Sequence, residues 1–207
     1  MRHVMLDLET LACNRDAVIV SIGARRFDPL GEFVTPPNEV EFKEVDGGYV
    51  DFEHFYHRID YSHCLKMGMK VDADTLRWWL SQKEDLRYEA IQAMPRTPLG
   101  SVLKEFEIWC RDIEGIWSNG SSFDIEIMRY YYEKSGKSQP WKFKDIRDCR
   151  TLLASVKEQS SIIWPVETEK FKHHPLYDAY RQAHVVQQCY RLNHGVNPQL
   201  PTLGCGI

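Results

Sequence analysis

The sequence predicts an α/β protein built on one mixed β-sheet flanked by helices. Three observations point there. The first third is rich in apolar and β-branched runs broken by turn signals, the pattern of an antiparallel three-strand meander. The middle and last thirds carry helical stretches with recognisable caps and stops. Between them lie two short runs, GIWSNG and DIRDC, each leading into a helix, an order that adds further strands to the sheet in mixed directions.

The elements follow in chain order. HVMLDLET (3–10) alternates apolar and polar residues, AVIVSIGARRFD (17–28) is β-branched and apolar, and after the DPLG turn GEFVTP (31–36) is expected as the third strand. Residues 36–71 read as an irregular excursion with one strand near Phe52–Ile59. Asp72 or Asp74 caps a helix through TLRWWLSQ, and a second helix is expected over Glu84–Ala93. Pro98, taken as the first helical position after Thr97, starts LGSVLKEFEIWCRDI. The strand GIWSNG precedes the helix FDIEIMRYYYEKSG, ended by Gly136. DIRDC is a strand leading into the helix RTLLASVKE, 159–172 is a loop, and PLYDAYRQAHVVQQCYRLNHG is a long helix stopped by Gly195. Residues 1–195 therefore make a single domain, with an extended or flexible tail over 196–207.

Composition narrows the function. The 207 residues are 43% hydrophobic, enough for a sizeable core, and no apolar run approaches the roughly 18 residues of a membrane helix. The acidic start MRHVMLDLE is unlike a secretory leader, so the expectation is a cytoplasmic protein with no membrane partner. The six cysteines include no C-x-x-C pair, which argues against a zinc ribbon or disulfide framework. A net charge of −4 argues against a protein that coats nucleic acid, but not against an enzyme that grips one strand end.

The chemistry begins with Asp7 and Glu9. Two residues apart on a strand, they share a face, opposite Val4, Leu6 and Leu8. Adjacent acids repel unless a cation or a shared proton lies between them, and a hard divalent ion suits oxygen ligands. D-x-E alone also fits a plain solvated strand face. The segment WSNGSSFD sets Asp124 at a helix start after a small-residue turn, where Asp124 also serves the helix dipole and Ser121 or Ser122 could cap. HHPLYDA sets Pro175 at the first helical position, His174 at the cap, Asp178 near the end of the first turn and His173 on the preceding loop. A histidine with an ordinary pKa of about 6.5 can take a proton from water near neutral pH.

Taken in order, D-x-E, N-x-x-x-x-D and H-x-x-x-x-D resemble the three motifs of the DEDDh exonucleases of the RNase H-like superfamily, across residues 7–178. Trp78–Trp79, SSFDIEIM and RDCRTL resemble a small branch with phage exonuclease A, exonuclease VIII-like proteins and bacterial 3′-5′ exoribonucleases. The chain departs from many relatives in reading DLETLA, with no glycine close after the acids. The resemblance implies an RNase H-like domain and a 3′-5′ exonuclease releasing nucleoside 5′-monophosphates. It further implies two ions, Mg²⁺ or Mn²⁺, held by Asp7, Glu9, Asp124 and Asp178, with His173 as general base. The partner would be single-stranded or 3′-overhang nucleic acid, DNA or RNA, in a bacterial or phage-infected cell. Relatives often form homodimers, a role the excursion at 36–71 could serve. The competing readings are an RNase H-like endonuclease and a non-catalytic nucleic-acid-binding module.

Other residues are weighed beside these. Trp78 and Trp79 point about 100° apart on a helix, so one is core and the other is free to stack on a base. Thr10, Ser118 and Asn119 flank the acids as candidate contacts to the terminal sugar or phosphate. Asp148 reads as a helix cap and Tyr130–Tyr132 as packing. Arg147, Arg150 and Arg181 are candidate phosphate contacts, and Lys142, Lys144, Lys170 and Lys172 a thin basic supply. His54, His57, His63 and Cys64 match no established zinc spacing.

Overall fold

Strand β1 (His3–Thr10) runs through the middle of a six-stranded sheet. The computed structural model describes residues 1–37, 47–157, 159–166 and 171–195. The tail expected from 196, Lys170 and part of the excursion lie outside the described residues. β2 (Ile19–Phe27) pairs antiparallel with β1, and β4 (His54–Arg58) antiparallel with β2. The short β3 (Gly48–Val50) closes that edge against β4. On the other side β5 (Gly115–Ser118) and β6 (Ile146–Asp148) add in parallel, giving the order β3-β4-β2-β1-β5-β6.

The helices are α1 (Tyr61–Lys66), α2 (Ala73–Ser81), α3 (Glu84–Arg87), α4 (Leu99–Trp109), α5 (Asp124–Lys134), α6 (Cys149–Ser155) and α7 (Pro175–Asn193). They cover both faces of the sheet. Val4, Leu6 and Leu8 of β1 join Val102 and Phe106 of α4 and Ile127 and Met128 of α5 in one core. Met5, on the opposite face, joins Ala179, Ala183 and Val186 of α7 in a second. Asp7 and Glu9 continue the Met5 face, so β1 is apolar at one end of that face and acidic at the other. Among the described residues no helix is long and apolar enough to cross a membrane.

The structure corrects four expectations. GEFVTP forms no strand. It lies instead along α7, where Val34 N donates to Gln187 Oε1 at 2.9 Å and Gln187 Nε2 donates to the Asp28 and Glu32 carbonyls. The third antiparallel place belongs to β4, so the described part of the excursion completes the sheet rather than leaving it. The strand expected near Phe52–Ile59 is this β4, whose buried His57 and Arg58 are tolerated through Glu105 and Glu89. The helix expected over Glu84–Ala93 is α3 continued by a π-turn, Tyr88–Gln92. Pro98 is the N-cap of α4, not its first residue. Elsewhere the caps are as expected: Asp72 Oδ1 accepts from the Asp74 and Thr75 amides. Gly136 and Gly195 follow their helices at φ +66° and +68°, where glycine has no Cβ penalty.

Candidate active site

Sheet register sets the site. Asp7 stands opposite Gly23 on β2, and Gly23 opposite Tyr56 on β4. A Cβ on Gly23 would lie 2.2 Å from Leu176 N and from the Pro175 carbonyl carbon. Glycine there lets the first turn of α7 rest directly on the sheet backbone. On one side of that contact Gln182 Nε2 donates to Asp7 Oδ1 at 2.8 Å. On the other, the His174 ring lies over Tyr56 with centroids 4.6 Å apart. Tyr56 in turn donates to Glu89, which also accepts from Arg58 Nε at 2.7 Å. The start of α7 is thereby held between Asp7 and Tyr56, and Asp178 and His173 come to lie beside Glu9.

His173 has φ +67°, a left-handed backbone that residues with a Cβ rarely adopt. Its N–H donates to Asp178 Oδ2 at 2.8 Å, closing a ring across the H-x-x-x-x-D spacing. Its ring meets Trp78 edge-on, centroids 4.9 Å apart, and Nδ1 is 3.9 Å from Glu9 Oε1. One side-chain donor atom each of Glu9, His173 and Asp178 lies within 4.8 Å of the other two.

Asp124 comes from the other flank. The β1–β5 ladder covers only His3–Met5, so Leu8 N is left without a strand partner there. It donates to Asp124 Oδ1 at 3.0 Å and draws the buried carboxylate toward the other acids. Asp148 Oδ1 accepts from Thr151 N at 2.8 Å and caps α6, while Oδ2 accepts from Ser121 N at 2.7 Å and fixes the loop before α5. Neither serine caps α5, whose N-cap is Phe123.

The four carboxylates and His173 line one cavity of about 320 Å³. Arg150, Lys172 and Arg181 stand around it, with Arg181 Nη1 3.6 Å from Asp178 Oδ1. Burial, followed by mutual repulsion, pushes Asp7 and Glu9 well above the ordinary carboxylate range. Burial also raises Asp178, against the His173 N–H and Arg181, and takes Asp124 up to about 7. Four acids held in this condition fit a divalent cation, which removes the repulsion and uses hard oxygen donors.

The other sequence-derived candidates separate. Asn119 lines the cavity, and its Oδ1 is 3.4 Å from Arg150 Nε. Trp78 is 40% exposed beside His173, whereas Trp79 is 1% exposed and its indole N–H donates to the Thr10 carbonyl. Trp79 is therefore a core residue with no face for a base. Ser118 has no exposed surface and Thr10 is buried with its hydroxyl donating to Ala12 O, so neither side chain faces the cavity. His57 pairs with Glu105, His54 with Asp51, and the Cys64 thiol is buried near the Ile19 carbonyl, so these residues form no common site. Sequence reasoning passed over Gly23 and Gln182. A lone glycine inside an otherwise β-branched strand signals close backbone approach. Gln182 stands four residues after Asp178, on the same helix face.

A mixed sheet of this order, flanked by helices and carrying acids toward the C-terminal end of β1, is consistent with an RNase H-like fold. Residues 2–190 match the model of the 3′-5′ exoribonuclease Rv2179c-like domain, and the chain belongs to that family. Comparison with curated proteins gives no match. The family points to 3′-5′ exoribonuclease activity in general.

Proposed function

We propose that the protein is a DEDDh-type 3′-5′ exoribonuclease in which Asp7, Glu9, Asp124 and Asp178 hold two divalent cations, Mg²⁺ or Mn²⁺, and His173 is the general base. One observation carries this reading: four carboxylates with raised proton affinity and one loop histidine converge on a single cavity. When bound, the cations would neutralise these acids and stabilise charge on the phosphate oxygens.

The chain's own groups do the rest. Gln182 holds one oxygen of Asp7 and so fixes which oxygen is presented to the cavity. The His173 ring takes one proton from the attacking water. The water oxygen bonds to phosphorus as the P–O3′ bond breaks. The departing 3′-oxygen gains a proton from solvent, leaving a shortened RNA with a 3′-hydroxyl and a free nucleoside 5′-monophosphate. Arg181 and Lys172 offset negative charge at the cavity. Trp78, exposed beside His173, offers a face to the terminal base.

The test uses His173→Ala with 5′-end-labelled RNA. The variant should bind Mn²⁺ as the wild type does and lose about 10²–10⁴-fold in rate, the usual worth of a general base. Wild-type turnover in the variant would remove His173 from the role. Internal fragments appearing first with the wild-type protein would replace the exonuclease with an endonuclease.

A further inference from the structure

A second concavity of about 530 Å³ opens near the start of β6, lined by Lys142, Lys144 and Arg147 together with Arg2. Asp112, Glu114 and Asp145 also line it. Glu114 pairs with Arg2, and Asp145 Oδ2 accepts the Lys142 backbone N–H at 3.0 Å. Among the described residues, no carboxylate forms an ion pair with Lys142, Lys144, Arg147 or Arg150. Phe143, between the two lysines, is 87% exposed.

β6 links this concavity to the carboxylate cavity. Arg147 lies within β6 and lines the second concavity, while Arg150, three residues on in α6, lines the first. Three residues apart, their Cα atoms are at most about 11 Å from one another. Lys142, Lys144, Arg147 and Arg150 thus follow one another through the turn before β6, β6 itself and the first turn of α6, at the outermost strand on this side of the sheet. In a chain of net charge −4, cations so placed are a local feature rather than a general surface property. Single strands are gripped by this combination, cations tracking the backbone and an exposed aromatic ring receiving a base.

We propose that this run of cations is the track for single-stranded RNA upstream of the scissile bond, with phosphates on Lys142, Lys144 and Arg147 and a base on Phe143. The proposal rests on the exoribonuclease reading above. It predicts that affinity grows with RNA length through residues remote from the acids.

The experiment compares wild-type protein with a triple variant, Lys142→Gln, Lys144→Gln and Arg147→Gln, and with Phe143→Ala. Substrates are RNAs of about three and about twelve nucleotides, bracketing the reach of single-strand sites. For the triple variant KM on the long RNA should rise about tenfold, kcat should hold, and the short RNA should be cut as by wild type. Its salt dependence on long RNA should flatten by about 0.7 per lost phosphate contact. Phe143→Ala should raise KM on long RNA without changing the salt slope. Turnover of the short RNA reports that each variant is folded. Wild-type length preference and salt slope in the triple variant would overturn the track alone. Inactivity of the wild-type protein on both lengths would overturn the functional reading, and the track with it.

Discussion

Replacing Asp124 by asparagine removes a charge while keeping the Oδ1 acceptor that Leu8 N uses at 3.0 Å. In metal-free protein the aspartate is a burden, because burial takes its pKa from 3.8 to about 7. The sign follows from proton linkage. Between those two values the folded state holds a proton that the unfolded state has lost, so stability falls as pH rises through that window. Above it the full penalty stands, about 4 kcal/mol from the difference in pKa. The neutral amide of the Asp124→Asn variant carries none of it and also relieves repulsion on Asp7. At about 2–4 °C per kcal/mol for a domain of this size, the metal-free variant should melt on the order of 10 °C above wild type at pH 8. His174, lowered to about 4 by burial, has the opposite slope between about 4 and its ordinary 6.5, so the comparison belongs above that range. The assay is thermal unfolding by circular dichroism with chelator at pH 6.5 and 8, repeated with saturating Mn²⁺. Mn²⁺ should raise the wild-type Tm more than the variant's, and the variant should hydrolyse no RNA. A metal-free Asp124→Asn protein melting at or below wild type at pH 8 would refute the reasoning.

Two further outcomes test the scaffold. Gly23→Ala places a methyl 2.2 Å from backbone atoms of Pro175 and Leu176, which cannot yield as a flexible side chain would. It should cost about 1–3 kcal/mol in thermal unfolding and lose most activity by lifting α7 and Asp178 from β1; unchanged kcat would show that α7 is not seated by this contact. Trp78→Ala should leave Tm nearly unchanged and raise KM for RNA about 5- to 150-fold, from the 1–3 kcal/mol of a stacked base. An unchanged KM would return Trp78 to the surface.

That the acids and the histidine would meet in one cavity was legible because the proposed chemistry limits both residue type and spacing. Alternation along β1 placed Asp7 and Glu9 on one face, and Pro175 fixed where α7 begins. β4 was legible as a strand near Phe52–Ile59, but its place beside β2 was not. Its buried His57 and Arg58 break the apolar alternation, and the partners that make them tolerable, Glu105 and Glu89, lie more than 30 residues away in sequence. The strand expected at GEFVTP failed for the complementary reason. Its composition suits a strand, but its backbone is satisfied by Gln187, a side chain on a helix that no local pattern connects to it. The Trp78–Trp79 pair could be divided by helix geometry, yet only the hydrogen bond to Thr10 O decides which one is inside.

The histidine and the last aspartate are one mechanical unit rather than two neighbouring functions. A left-handed residue with a side chain costs about 1–3 kcal/mol and persists only where its surroundings over-determine it. At His173 they do so from three sides. Asp178 Oδ2 holds its amide, His174 is anchored over Tyr56, and Trp78 stands edge-on to its ring. The same carboxylate that grips the His173 backbone leaves Oδ1 toward Arg181 and the cavity. Removing the Asp178 side chain would therefore take away a carboxylate of the cavity and release the histidine together. The five-residue spacing is set by this geometry: the amide of the residue just before the N-cap reaches a carboxylate one turn into the helix. A shift of either residue by one position would turn the carboxylate about 100° around α7 and break the ring. The H-x-x-x-x-D spacing is thus a condition of backbone geometry before it is one of chemistry.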